Sequence, residues 1–490
     1  MESTRCRSCG LSTISPSERK RDHLASFESG FPAVVDGEEL LHTVASRRAS
    51  EDPCSKAKQT TVGVARLLGN CAVPFTLLMS AIGSGTLSVP YTFLLLSPGE
   101  AVVTLCLVGA AMAFTADIIL RVHVAVASKS GNEEMRETYQ ELAVYASGPR
   151  LAKGVGFLTA FAVFGACVGC VRVVRDMAPT LVTIFYLPQD SEFDQLPVGT
   201  QQDYVNRTVW LVFMIVILPL GFFKKISALR FSSYLGFAFS IYLVGAVAYR
   251  VAVGDAVELA SVKEVTYITG SSFSRLSEAI GIYNFTFMLH LNVIPLLAQL
   301  VVTTSSDSGE VALRQAERKM RYNVYGAVFV CVLLYATFGL CAASIYGSST
   351  QGNILLNLEH DPIMAVPRVA ILFTILFSFP LLFHPLRSLV LEMSICGENP
   401  TIWTQVLVSV VLLVAQIFFA MRVPGIEVVF SFVGSSILLL LCYLMPTIFY
   451  TRLYPWRESR SATRRLYALR ALLVVATLFC TMATFKLIFK

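Results

Sequence analysis

The residues best suited to chemistry in this chain lie inside apolar stretches. Gly83-Ser84-Gly85 interrupts Cys71–Leu96, a stretch that carries no charge and is long enough to cross a bilayer. Two glycines there weaken a helix by roughly 1 kcal/mol each relative to alanine. Backbone released from a helix at membrane depth is tolerated only where it is buried in protein or lines a cavity. The pattern predicts two half-helices, Cys71–Ile82 and Thr86–Leu96, that meet at a ligand site. The first N–H groups of the second half (Ser84, Gly85, Thr86) would face a carboxylate, helped by the positive helix end. The other reading of the same glycines is close packing against a neighbouring helix.

His290 lies within a second apolar stretch. A histidine there either couples or gates a proton or is hydrogen-bonded to an adjacent helix. Arg172, Arg175 and Asp176 follow about 18 residues of a third stretch, roughly 27 Å along a helix axis, which places them near its outer mouth. Arg172 and Asp176 have i,i+4 spacing and form either a local ion pair or an outer gate. Asp117 and Arg121 repeat that spacing near the inner end of another stretch, and we read them as structural. Glu427 is an acid at a helix N-terminus.

These residues need a membrane bundle to position them. The 490-residue chain is 55% hydrophobic and only 15% charged, with mean hydropathy +0.64. Soluble domains carry about 25% charged residues, so this is an all-α polytopic membrane protein. The formal charge of +6 is modest and does not suggest nucleic acid as a partner. Most of the 12 cysteines lie in apolar stretches as small buried hydrophobes, and Cys6-Arg-Ser-Cys9 is a lone CxxC with no second pair for a zinc site. Residues 1–59 are polar and serine-rich, and we expect a disordered cytoplasmic tail. Residues 60–490 form the membrane domain.

After the broken span come ten further segments, for about eleven in all. They are Ala101–His123, a third from near Gly154 that extends as far as Leu187, Val209–Phe223, Phe231–Val253, Ala279–Val302, Val324–Ile345, Val366–Leu386, Ile402–Met421, Ile426–Tyr450 and Tyr467–Phe489. A cytoplasmic N-terminus gathers about 22 Lys and Arg on the inner side against about 8 outside. The C-terminus then lies outside, and the sequon Asn206-Arg207-Thr208 falls in an outer loop. Five spans precede the sixth, so two five-span halves must run in opposite directions, as in inverted-repeat membrane proteins. The sixth carries Asn284, Thr286, His290 and Asn292 ahead of Pro295, so it is predicted to be interrupted like the first.

Four motifs now resemble the amino acid/auxin permease family. They are Ser80-Ala-Ile-Gly-Ser-Gly-Thr-Leu-Ser-Val-Pro-Tyr91; Phe285-Thr-Phe-Met-Leu-His290 with Pro295; Asn353-Ile-Leu-Leu-Asn-Leu358 continuing to Phe379-Pro-Leu-Leu-Phe-His-Pro-Leu-Arg387; and Val423-Pro-Gly-Ile-Glu-Val-Val-Phe-Ser-Phe-Val-Gly434 with Pro446-Thr-Ile-Phe-Tyr450. They run in order from about residue 60 to the C-terminus. The tail and loops look most like permeases of kinetoplastid parasites. The resemblance implies a LeuT-like fold of 5+5 inverted-repeat spans plus one, and alternating-access transport of amino acids, usually with an ion gradient. Some sodium-coupled members have an asparagine four residues before the first signature glycine, where this chain has Met79. Their eighth-span hydroxyl is kept as Ser378. That departure puts sodium in doubt and leaves co-transported protons or facilitated diffusion. No other cofactor and no metal are expected.

On this reading a substrate carboxylate docks on the Ser84–Thr86 amides, and its amino group meets carbonyls near Ser80 and from the unwound part of span six, around Thr286. Tyr283 and Phe285 close over the side chain, or simply pack. Thr374 and Ser378 face carbonyls freed in span one and help hold a cation, or bond within their own helix. No acid is central in spans one, six or eight, which leans toward a neutral amino acid over a cationic one. A nutrient sensor on the same fold is the alternative. An intramembrane enzyme using His290, His384 and Asp117 is disfavoured because these lie on separate spans, and no GxxxxGK[ST] loop marks a primary pump. A plasma membrane is the default residence and an acidic organelle the alternative. The oligomeric state is not encoded in these features.

Overall fold

The computed structural model describes residues 73–130, 138–186, 193–222, 230–253, 272–304, 309–359, 361–394 and 401–489. The expected tail, the lone CxxC and Cys71 lie outside the described residues. Among the described residues ten helices are long and apolar enough to cross a bilayer: Pro98–Ser128, Pro149–Asp176, Val198–Phe222, Leu235–Val253, Ser272–Val301, Val311–Ser349, Ala365–Met393, Ile402–Arg422, Ile426–Leu453 and Arg460–Ile488. A bent pair, Val73–Ala81 and Ser84–Leu95 at 43°, makes an eleventh and comes first in the chain. We number them as spans one to eleven in chain order. The end of the bundle at which span one begins is called inner, and the opposite end outer.

Contacts between span termini confirm that the spans alternate in direction. The C-terminal end of span two (Asp117, Arg121) meets the start of span seven (Glu317, Arg321). The end of span three (Arg172) meets Pro424, just before span ten. The end of span five (Arg250) pairs with Asp361, just before span eight. Among the described residues span one is bent at Gly83 and span six is interrupted between Thr286 and His290; the two stand five apart, so the halves they open run in opposite directions. This is the 5+5 arrangement plus one. Span six is largely enclosed, with 83% of its apolar stretch buried, while span eleven has 17% and lies at the periphery.

Spans six and ten approach until their backbones touch. A Cβ at Gly434 would collide with the Gly281 carbonyl, so only glycine permits this crossing. Buried Asn284 ties the same region to span eleven: Tyr443 Oη donates to its Oδ1 at 2.8 Å, and its Nδ2 donates to the Gly434 carbonyl at 3.3 Å and the Cys480 sulfur at 3.4 Å. Wide helical turns at Phe213–Ile217 and Leu439–Leu444 each stand just before a proline, Pro219 and Pro446. Proline lacks the N–H that would continue the ladder, and the wider turn absorbs the defect. Tyr139, on a short inner helix Tyr139–Ser147, donates its hydroxyl to the Leu441 carbonyl in the second wide turn at 2.7 Å.

Two local expectations differ from the structure. Span three ends at Asp176, and a separate helix, Ala178–Phe185, follows, because Pro179 cannot donate across the junction. The sequon Asn206-Arg207-Thr208 is inside the helix Val198–Val212 rather than in a loop, with Thr208 buried. The polar first turns of span four extend the helix beyond the apolar window that marked its start.

Candidate functional site

The break in span one is built by its glycines. The last regular bond of the first half runs from the Ile82 N–H to the Leu78 carbonyl at 2.8 Å. Gly83 then adopts an extended backbone, φ −122° and ψ −155°, and its N–H turns to the Ala81 carbonyl at 3.0 Å. The Met79 and Ser80 carbonyls are thereby left past the end of the regular ladder. The second half opens as a tight turn whose first bond is Thr86 N–H to Gly83 carbonyl, 3.1 Å. The N–H groups of Ser84 and Gly85 precede that bond and carry the positive end of the half-helix. The Thr86 amide, expected to join them, is already taken. Its hydroxyl is buried within reach of the Tyr335 hydroxyl of span seven.

Span six breaks beside it. Helix Ser272–Thr286 stops, the Phe287 N–H makes the last ladder bond to the Tyr283 carbonyl at 3.0 Å, the Met288 N–H turns to the Phe285 carbonyl at 3.3 Å, and a second helix runs His290–Thr304. The two breaks face one cavity of about 100 Å³. Its walls include Met79 to Leu87, Cys170 of span three, Gly236 and Ser240 of span five, Phe285 and Thr286, and Thr374 and Ser378 of span eight. Among the described residues no Asp, Glu, Lys, Arg or His lines it.

The structure brings together most of the residues the sequence singled out. Ser80, Gly83, Ser84, Gly85, Thr86, Phe285, Thr286, Thr374 and Ser378 all line the cavity. Three of their hydroxyls are spent on their own helices: Ser80 donates to the Leu77 carbonyl at 2.9 Å, Thr286 to Ile282 at 2.8 Å and Thr374 to Ala370 at 2.9 Å. Tyr283 and His290 are elsewhere. Tyr283 is fully buried with its hydroxyl 2.6 Å from Thr92 Oγ1 and donating to the Ala101 carbonyl at 3.2 Å. His290 is buried behind the cavity, its Nε2 2.8 Å from Thr115 Oγ1 on span two and its Nδ1 without a partner among the described residues.

The outer side of the cavity is shut. The Phe285 ring stacks on Phe430, with centroids 4.3 Å apart and planes within 11°. Gly85 and Gly169 make the slot for these rings: a Cβ at Gly85 would meet Phe285 at 3.1 Å, and one at Gly169 would collide with Phe430. Arg172 and Asp176 sit further out. They form an ion pair, Arg172 also donates to the Pro424 carbonyl at 2.5 Å, and Asp176 accepts from Asn353 Nδ2 at 3.0 Å. Arg175 donates to the Met421 carbonyl at 2.8 Å. Beyond them Arg368 joins Thr180 at 2.7 Å and Glu359 at 3.5 Å. The inner wall, by contrast, is built of Met79, Gly236, Ser240, Leu381 and Leu382, and Gly83 is exposed.

Three site residues escaped the sequence reading. Tyr335 of span seven donates its hydroxyl to the Ala81 carbonyl at 2.8 Å, Cys170 lies within hydrogen-bond reach of Ser84, and Phe430 closes the ring stack. A tyrosine in the middle of an apolar span is the one signal the sequence offers for the first. Cys170 and Phe430 look like ordinary packing in their own spans.

The family model described as transmembrane amino acid transporter protein matches residues 70–489. The vacuolar amino acid transporter 5 of Schizosaccharomyces pombe is 24% identical over 293 residues, which is 59% of this chain and 63% of that protein. The chain therefore aligns with less than two thirds of that relative's length. The sodium-coupled neutral amino acid transporter 7 of Xenopus laevis is 24% identical over 375 residues, 74% of this chain and 76% of that protein. Among solved structures, a manganese transporter of Eremococcus coleocola superposes with TM-score 0.48 at 12% identity, covering 86% of this chain and 87% of that one.

Proposed function

The chain belongs to the transmembrane amino acid transporter family, and from that premise we propose that it carries a neutral α-amino acid across the bilayer by alternating access. One observation carries the reading. Two helix breaks enclose a cavity that has, among the described residues, unpaired backbone donors at Ser84 and Gly85, released carbonyls at Met79 and Ser80, the buried Thr86 hydroxyl and no charged wall. A zwitterion needs donors for its carboxylate and acceptors for its ammonium, and both are supplied by backbone. A cationic or anionic side chain would enter this cavity without a counter-charge, at a cost of several kcal/mol.

The closed outer side and open inner wall support an inward-facing state. Transport then requires the Phe285–Phe430 stack and the Arg172–Asp176–Asn353 cluster to part while the inner wall closes. The excess of Lys and Arg at the inner end supports a cytoplasmic N-terminus. The S. pombe relative's name supports an acidic organelle as the membrane of residence, against the plasma-membrane default. Met79 offers a thioether where a sodium site would use an oxygen, which supports proton coupling or facilitated movement.

The test uses the purified chain in proteoliposomes, with radiolabelled neutral, acidic and basic amino acids and polyamines, at two pH values, with and without sodium. Saturable movement of a neutral amino acid, indifferent to sodium, is the expected result. Saturable binding with no net movement would replace the transporter with a sensor. Movement of a basic amino acid alone would overturn the substrate class.

A further inference from the structure

A second cavity, of about 340 Å³, opens at the inner end between spans two, seven and ten, far from the broken helices. Four arginines line it: Arg121, Arg314, Arg318 and Arg321. The remaining wall is Val124, Ala125, Ser128, Glu317 and Tyr454. Among the described residues Glu317 is the single carboxylate of the lining.

The arginines are held in place rather than scattered. Asp117, 4% exposed, lies behind them and binds two guanidiniums through their Nε atoms, Arg121 at 2.8 Å and Arg321 at 2.9 Å. Arg321 Nη2 also reaches Glu317 at 2.7 Å. Binding through Nε fixes each side chain while leaving the outer edge of the Arg121 fork without a hydrogen bond among the described residues. Arg318 makes no ion pair or hydrogen bond among them either. Like charges gathered in one pocket repel unless an anion is present, and the guanidinium fork matches phosphate oxygens two at a time.

The surroundings identify where that anion comes from. Tyr325, Phe329 and Leu333 follow one another at four-residue intervals up span seven from Arg321, and they are 42%, 64% and 53% exposed. An apolar stripe exposed on a membrane span faces acyl chains. Tyr325 is close enough to feel the charges of Asp117, Arg121 and Arg321. The stripe and the basic pocket are therefore continuous, polar at the membrane boundary and apolar above it.

We propose that this pocket binds the phosphorylated headgroup of an anionic membrane phospholipid, whose acyl chains lie along Tyr325, Phe329 and Leu333. With the inner end in the cytoplasm, as argued above, the lipid belongs to the cytoplasmic leaflet. It bridges the inner ends of spans two, seven and ten.

The test is binding to the purified full-length chain, read by thermophoresis. The probes are dioctanoyl phosphatidylinositol bisphosphate, dioctanoyl phosphatidylcholine, free inositol trisphosphate and inorganic phosphate. The phosphorylated lipid is expected to bind saturably and the phosphatidylcholine not. Arg318→Gln is expected to weaken binding about fivefold, the effect of one basic side chain at an anionic surface. Arg318 is exposed and unpaired, so this variant keeps the fold, which the elution profile checks; Arg314→Gln is the second variant. Equal binding by both variants and the parent would overturn the site. Equal affinity for inositol trisphosphate and the lipid would overturn the phospholipid assignment in favour of a soluble phosphate. None of these readouts depends on transport, so failure here is separable from failure of the transporter reading.

Discussion

Tyr335 Oη lies 2.8 Å from the Ala81 carbonyl and donates to it, two residues before the glycine that breaks span one. Its ring also meets Phe287 edge-on at 5.6 Å, in the non-helical segment of span six. One side chain on span seven therefore touches both breaks. Replacing Tyr335 with phenylalanine keeps the ring and removes the pin. The expected stability loss is about 0.5–1.5 kcal/mol, the usual worth of one hydrogen bond. The transport rate should fall by much more than that loss implies, because the break geometry is disturbed. Proteoliposome uptake and a melting curve on the same preparation compare the two. An unchanged rate would show that the pin is only structural.

Gly83 and Gly85 behave differently despite standing two residues apart. A Cβ at Gly83 meets nothing within 4 Å, while one at Gly85 presses on Phe285 at 3.1 Å and Thr286 at 3.3 Å. Gly83→Leu is expected to fold normally and abolish uptake by filling the cavity. Gly85→Leu is expected to lower the melting temperature as well, at about 1–3 kcal/mol for overpacking. Normal uptake by a folded Gly83→Leu protein would remove the cavity from the transport path.

Much of the architecture was legible because membrane spans declare themselves by length and composition, and because an odd number of spans in each half, five from one broken span to the next, dictates inversion. The site was legible where backbone defects mark it, at Gly83, Gly85 and the stretch before Pro295. It was not legible where a helix face decides the outcome. Tyr283 and Phe285 are two residues apart, so on a helix they point in different directions, and only Phe285 reaches the cavity. His290 begins a new half-helix whose rotation is set by the break, which composition does not encode. Tyr335 and Phe430 come from distant spans, and no local pattern announces that they converge.

The Asp176 carboxylate joins Arg172 and Asn353 across the outer mouth. Asp176→Asn keeps the volume and removes the charge. Losing one partner of a buried pair costs about 3–5 kcal/mol, and here the cost falls on the outward-closed state. The expected outcome is a shift toward outward opening. A cysteine introduced as Ser84→Cys should then be labelled several-fold faster by a membrane-impermeant thiol reagent added from the outer side. Unchanged labelling would leave the cluster as a structural brace.

His290 tests the coupling mechanism. Its ring lies behind the cavity against Thr115, and no wall atom of the cavity belongs to it. Thr115 Oγ1 is within 3.2 Å of the Met112 carbonyl and 3.1 Å of the Ala111 carbonyl, so its proton is engaged and its lone pair accepts from the imidazole Nε2–H. In the neutral ring this selects the Nε2–H tautomer, and it gives the ring a bracing role. His290→Gln, which can keep a donor toward Thr115, should retain transport and its pH profile, with a stability change of about 1 kcal/mol. His290→Leu should lose about 1–3 kcal/mol more, because Thr115 then loses its donor in a buried site. The check is the uptake rate of each variant across external pH. Loss of the pH response in His290→Gln, with protein still folded, would return the proton to this histidine and require a path from its unpartnered Nδ1 to the cavity.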